Sequence, residues 1–398
     1  MFRRIGLGTV LATTMTSSTF APVIFAVLAT PLREEFGAAR WQIGALVTVV
    51  TAVGAVLSPM AGSFADRFAP SQSTALTISV AGISYLAISL APSYLWVAAA
   101  SLLSGVAQAM GNPSTNRLIM TQAPVGRRGL LTGVKQSGVQ AGNVMGGLLL
   151  PLGAASVLGW RGTVAMVVVL PLLGLTLLGL LIRGSEKPGR SEPAPASRSS
   201  SVVLRLALYG ATIGATNGAL TTYVPSYSQE TFGFDTTTGG LLFAVCGIVA
   251  FVTRLSAGHL SERFFGHHRT LMGMAMLTAL AGVLLASAPS GAWLWPAAVC
   301  VGLGPMAWNV VGNLAVMELS PKGGAGRGSG VMMAGFLGGT ALGAPLLGGS
   351  ADLLGTYRPG WLGVAALGLI AIWIAKGVVG PSASGDQGGP HGQPDHLP

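Results

Sequence analysis

The chain has 398 residues, 51% hydrophobic and only 9% charged, against about 25% charged in a soluble domain. That is too little charge to cover a water-facing surface, so a soluble globular protein is excluded. The net charge of +10 does not form one patch. Lys and Arg recur in short clusters between apolar stretches, which excludes a nucleic-acid partner and suits a chain oriented in a lipid bilayer. Cys246 and Cys300 both lie in apolar runs, so neither a disulfide framework, a metal site nor a cofactor is expected.

A membrane-spanning helix needs about 20 mainly apolar residues. The first candidate, 6–30, follows Arg3-Arg4 and looks like a signal peptide. Its apolar run is long enough to cross, and more spans follow, so it reads as an uncleaved first span. Further candidates are 41–64, 73–91, 94–122, 129–154 and 162–183, then 202–228, 238–261, 270–289, 292–318, 327–351 and 360–380. The expectation is an all-α membrane protein with twelve transmembrane helices. Residues 1–183 form an N-terminal six-helix half and residues 202–380 a C-terminal one. Segment 184–201 is a Ser-, Pro-, Arg- and Glu-rich linker, and 381–398 a disordered tail in which His391 and His396 are not metal ligands.

With the N-terminus inside, fifteen Lys and Arg residues fall on inward segments and four, Arg33, Arg40, Arg161 and Arg358, on outward ones. That bias puts both termini in the cytoplasm.

The halves align at an offset of 196 or 197. Phe36-Gly37 matches Phe232-Gly233; Gly62, Asp66 and Arg67 match Gly258, Glu262 and Arg263. Gly105, Asn112 and Asn116 match Gly302, Asn309 and Asn313, and Gly138, Gly142 and Gly146 match Gly335, Gly339 and Gly343. The last two triplets stand at i, i+4 and i+8, on one helix face, where they permit close helix packing. Six spans per half make the two pseudo-repeats parallel in the membrane, with a solute site between them near the midplane.

The loop Gly62-Ser63-Phe64-Ala65-Asp66-Arg67 resembles the signature G-x-x-x-D-R-x-G-x-R/K-R/K of the major facilitator superfamily, and Gly258 to Arg269 resembles a second copy. In the first copy Ala69, Pro70 and Ser71 replace the later Gly and basic residues. The resemblance implies that Gly62, Asp66, Arg67, Gly258, Glu262 and Arg263 latch an inner gate. The alternative for the arginines is that they only follow the positive-inside bias. Gly138 to Gly147 is similar to the antiporter motif G-x-x-x-G-P-x-x-G-G, with Asn143 at the proline, which weakens a drug-antiport reading. The family also implies a monomer.

Three basic residues, Arg117, Lys135 and Arg254, lie within spans, and no acidic residue lies deep in any. A charge in the bilayer is a functional hypothesis by default. Arg254 stands eight residues before Glu262, about 12 Å up its helix and near the midplane. It either meets a bound anion, for which a guanidinium offers two parallel hydrogen bonds, or is tied to backbone carbonyls. Its segment is similar to the arginine region of the monocarboxylate and other organic-anion branches. Arg117 is a second anion contact or snorkels inward, and Lys135 is expected to snorkel. Asn112, Asn116, Asn309 and Asn313 either bind a polar solute or tie helices together, and Tyr223 is a candidate cavity wall.

These residues point to a secondary transporter in the cytoplasmic (inner) membrane for a small organic anion, a carboxylate first. Proton symport and anion exchange are both open. The alternatives are efflux of a drug or neutral hydrophobic metabolite and, in another class, a non-transporting sensor. No nucleophile motif, phosphate loop or His, Cys and carboxylate cluster suggests an enzyme.

Overall fold

The structure is a computed structural model that describes residues 2–65, 67–123, 128–181, 201–319 and 325–378. Residues 184–200 of the expected linker, all of the expected tail and Asp66 lie outside these, while Ser201 of the expected linker is helical. Every described regular element is helical, as lipid requires: only a helix or a closed barrel satisfies its own backbone there. In order they are α1 (Phe2–Thr19), α2 (Ala21–Val27), α3 (Ala29–Phe36), α4 (Arg40–Ala65), α5 (Pro70–Ser89), α6 (Tyr94–Gln122), α7 (Arg128–Ala154), α8 (Gly159–Val167) and α9 (Val169–Leu181). After the linker come α10 (Ser201–Phe232), α11 (Thr236–Leu260), a π turn (Ser261–Phe265), α12 (His267–Ser287), α13 (Leu294–Leu303), α14 (Asn309–Leu319), α15 (Ala325–Leu354) and α16 (Arg358–Lys376).

Seven of the described helical stretches are long and apolar enough to cross a bilayer: α4, α6, α8–α9, α11, α12, α15 and α16. The pair α1–α2, bent by 54° at Phe20, makes an eighth. Pro22 in the first turn of α2 explains the bend. Of the other helices α13 is apolar but short, and α5 carries more polar side chains, several satisfied within the helix. In α5, Thr74 and Thr77 are buried and donate to the Pro70 and Ser73 carbonyls at 2.8 Å each.

The helix contacts recur at the sequence offset. α1 packs on α7 as α10 packs on α15, and α4 packs on α6 as α11 packs on α13. Between the halves, α4 packs on α15 and α7 on α11. Glycine makes these approaches possible. A Cβ at Gly138 would overlap the Ala12 carbonyl, and at Gly335, Gly339 and Gly343 the carbonyls of Ala207, Ala211 and Ala215. Across the halves Gly44 faces the Ala344 backbone, and Gly240 the Gly147 backbone. The Phe-Gly pairs end α3 and α10: Gly37 and Gly233 take the left-handed conformation, φ 61° and 69°, which favours glycine.

The apolar core is not uniform along the spans. Toward the end away from the chain termini, here the distal end, one continuous cluster takes residues from both halves, including Phe25, Ile43, Tyr85, Leu242, Leu285 and Trp361. Toward the end that carries the termini, the proximal end, the clusters are separate. One around Tyr209, Trp308 and Met332 belongs to the second half; two smaller ones around Leu11 and Met110 belong to the first. Among the described residues the halves are therefore joined distally and part proximally.

Candidate substrate site and distal latch

The proximal half of α11 carries Arg254, and its setting follows from a break in the neighbouring chain. Between α13 and α14 the sequence Gly304-Pro305 interrupts the helix, since proline lacks an N–H and cannot continue the ladder. Val310 N–H bonds to Ala307 O rather than to Met306 O, so the Met306 carbonyl loses its helical donor. Arg254 replaces that donor: Nε and Nη2 donate to Met306 O at 3.1 and 2.7 Å.

The rest of the guanidinium reaches the other half. With the Gln140 amide oxygen turned toward it, Nη2 and Nη1 donate to that oxygen at 2.8 and 3.0 Å. The Gln140 nitrogen then faces the Asn143 amide at 3.0 Å, which accepts once turned the same way; such amide orientations are fixed by the hydrogen-bond network. Arg254 thus bridges α11, the α13–α14 break and α7. Among the described residues no carboxylate lies within ion-pair distance of it. The backbone tie was one of the two readings of Arg254; the bridge to Gln140 was not foreseen. Its sequence signal was there, an amide pair at i and i+4, Gln136 and Gln140, in an apolar span.

A second basic group lies nearby on α7. Lys135, expected to snorkel, is instead 1% exposed. Its Nζ donates to Asn112 Oδ1 at 3.0 Å and Asn116 Oδ1 at 2.7 Å, and Gln136 Nε2 lies 3.4 Å from the same Asn112 oxygen. The two amides of α6 therefore come together as their shared helix face requires, around a cation that the sequence reading placed elsewhere. Their counterparts behave differently. Asn313 Nδ2 donates to Asn309 O at 2.8 Å, while Asn309 Oδ1 is buried with no hydrogen-bond partner among the described residues.

Arg117 is directed away from this cluster. Its Nη1 donates to Phe68 O at 3.0 Å, tying α6 to the loop between α4 and α5. That bond points toward the proximal loop, as the inward-reaching alternative has it. Tyr223 is not on a cavity wall: it is 1% exposed and its hydroxyl donates to Arg40 O at 2.6 Å. Of the expected gating residues Asp66 lies outside the described residues; Gly62 and Gly258 lie near the proximal ends of α4 and α11, Glu262 and Arg263 on the π turn, and Arg67 is exposed beyond α4.

The distal end holds a latch that the sequence reading did not name. Glu230 of α10 pairs with Arg33 and, at 2.7 Å, with Arg40. Arg40 also pairs with Asp352 of α15 at 3.2 Å and sits 5.3 Å from the Tyr357 ring centroid. All these contacts cross between the halves.

Comparison with known proteins now adds to the geometry. The Major Facilitator Superfamily model matches residues 6–344. The chain belongs to the Major Facilitator Superfamily. Among curated relatives, a probable nitrate/nitrite antiporter of Thermus thermophilus is 26% identical over 66% of this chain and 62% of its own length. A probable sulfoacetate transporter of Cupriavidus necator is 23% identical over 67% of each, and an enterobactin exporter of Citrobacter koseri 28% over 78% of this chain and 76% of its own. The match spans less than two thirds of the first relative. Among solved structures, a bacterial homologue of the human lysosomal transporter Spinster, inward-facing and occupied, matches with a TM-score of 0.73 and 17% identity, over 94% of this chain and 95% of that one. A point mutant of the nucleoside transporter NupG matches with a TM-score of 0.76 and 12% identity, over 94% and 99%. At these identities the likeness is one of fold.

Proposed function

We propose that this superfamily member is a secondary transporter of a small organic anion, first of all a carboxylate, working by alternating access between two six-helix halves. The observation that carries the reading is Arg254. Its guanidinium is held by a backbone carbonyl and a neutral amide, with no carboxylate partner among the described residues. An unpaired arginine near the midplane costs at least ~2.5–3.5 kcal/mol, and a bound anion offsets that cost. The carbonyl of Met306 and the amide of Gln140 hold the guanidinium ready until the solute arrives.

In this reading twelve spans, in halves 1–183 and 202–380 joined by linker 184–201, place both termini in the cytoplasm of an inner-membrane monomer. The distal latch then closes the outer side, and the separate proximal clusters leave the inner side open. Gly62, Asp66, Arg67, Gly258, Glu262 and Arg263 are the complementary inner gate. Relatives named for nitrate/nitrite and sulfoacetate support an anionic solute. The test is uptake of a carboxylate panel into vesicles containing the purified protein, with and without a pH gradient. Arg254→Ala at normal protein levels is expected to abolish uptake of the anion carried. Unchanged uptake of every anion would reject the reading.

A second reading, export, is favoured by the likeness to an enterobactin exporter. Loading the same vesicles from inside separates the two directions.

A further inference from the structure

We infer that Lys135, Asn112 and Asn116 form a second anion subsite, so that the solute carries two anionic groups. This rests on the anion-transport reading and adds a second contact to it. The argument begins with the direction of the hydrogen bonds. A lysine ammonium has three donors and no acceptor. Both amides must therefore turn an oxygen toward it, as they do at 3.0 and 2.7 Å. An amide's orientation is often open to choice; here the cation forces it. With the oxygens turned inward, the NH2 groups of Asn112 and Asn116 face away from Lys135, and neither donates to another described group.

The cluster is then a layered structure. The ammonium is buried at 1% exposure, Asn112 is half-buried and Asn116 is exposed. Each amide dipole has its negative end on the lysine and its positive end toward the accessible surface. Asn112 and Asn116 present donors there, backed by the lysine charge. Among the described residues no carboxylate lies within ion-pair distance of Lys135, and its third N–H has no acceptor. A buried cation held only by neutral oxygens is electrostatically incomplete. An anion on the amide N–H groups completes it.

The placement sets the solute class. Gln136 touches Asn112, and Gln140, one turn along α7, touches Arg254. The two subsites are thus separated by roughly one helical turn, about 5–6 Å, plus the reach of the side chains. One lies within the first half and the other bridges to the second. A small dianion, two carboxylates or a carboxylate with a sulfonate, spans such a pair. A monoanion fills only one member.

The experiment is binding to purified full-length protein, read by calorimetry, with matched pairs of probes: propionate against succinate, and methanesulfonate against sulfoacetate. Wild-type protein is expected to prefer the dianion of a pair by about tenfold or more, the worth of one charge-assisted hydrogen bond. Lys135→Met should reduce that preference to within about twofold while monoanion binding persists. Asn116→Asp should do the same, because its carboxylate neutralises the ammonium and removes two donors; it keeps Lys135 paired and so guards against a folding defect in Lys135→Met. Equal loss of both probe classes in these variants, or an undiminished dianion preference, overturns the second subsite and leaves the Arg254 reading intact. Absence of binding for every probe, in wild type and variants, overturns both.

Discussion

Asp352, on the last turn of α15, accepts from the backbone N–H groups of Arg40 at 3.3 Å and Trp41 at 2.9 Å, and pairs with the Arg40 side chain at 3.2 Å. It acts as an N-terminal cap of α4 supplied by the opposite half. A carboxylate there satisfies orphan donors and complements the helix dipole. Because the cap and its helix belong to different halves, its energy counts only in the conformation that brings the distal ends together. Asp352→Ala is therefore expected to weaken distal closure by about 1.5–3 kcal/mol without disturbing either half. A thiol introduced by Ala344→Cys, at a buried position whose backbone faces Gly44 across the halves, should label about tenfold faster or more in the Asp352→Ala background. Equal labelling rates would show that the latch contributes nothing to closure.

The glycine seam gives a prediction with an internal control. A Cβ at Gly339 would collide with the Ala211 carbonyl, whereas at Gly330, on the same helix, it meets nothing within 4 Å. Gly339→Ala must push α15 off α10, at a cost of about 1–3 kcal/mol for an overpacked contact. Gly330→Ala should be neutral or slightly stabilising, because alanine favours the helix. Thermal unfolding in detergent reads both, and equal melting temperatures for the two variants would refute the packing account.

How far the sequence carried differs from residue to residue. The matched glycines and Phe-Gly pairs were legible because their role is local: a left-handed helix end, or a face with no side chain. The break at Gly304-Pro305 was legible in principle for the same reason. Lys135 was not. Whether a lysine one turn or two from a span end reaches for water or stays buried is decided by acceptors on another helix, here Asn112 and Asn116. Tyr223 shows the same limit, since its partner, the Arg40 carbonyl, lies 183 residues away. The distal latch escaped notice because Arg33, Arg40, Glu230 and Asp352 look like ordinary loop charges until the halves are brought together.

Asp235 precedes α11 and accepts from Thr238 N at 3.0 Å. Hydrogen bonds from Thr238, then Thr237, hold its carboxyl below the ordinary carboxylate range. A depressed value means that the ionised form is the one favoured by the fold. The cap is complete at pH above the unfolded value of about 3.9 and is lost as pH falls through the lower folded one. Amide exchange at Thr236–Gly240, corrected for intrinsic rates, should rise on acidification across that window. Asp235→Asn should remove the pH dependence there, and a persistent acid response in that variant would assign it to another group.

Gln140→Glu separates Arg254 as an anion receptor from Arg254 as a brace. Gln140 contributes a neutral oxygen to the guanidinium at 2.8 and 3.0 Å. A glutamate in its place keeps the shape and the contact but adds a negative charge. If Arg254 only braces the break between α13 and α14, the charge-assisted contact strengthens the brace, so melting temperature rises and transport continues. If Arg254 receives the solute anion, the glutamate occupies that role permanently. Transport should then fall at least about tenfold, the cost of displacing one charge-assisted hydrogen bond, while stability holds or improves. Gln140→Ala points the other way: it loosens the bridge between the halves yet leaves the guanidinium positive, so solute binding should survive better than in the glutamate variant. Transport measured in vesicles for both variants, beside their melting temperatures, decides between the roles. The brace account stands if glutamate transports as well as wild type, and the receptor account stands if alanine outperforms glutamate.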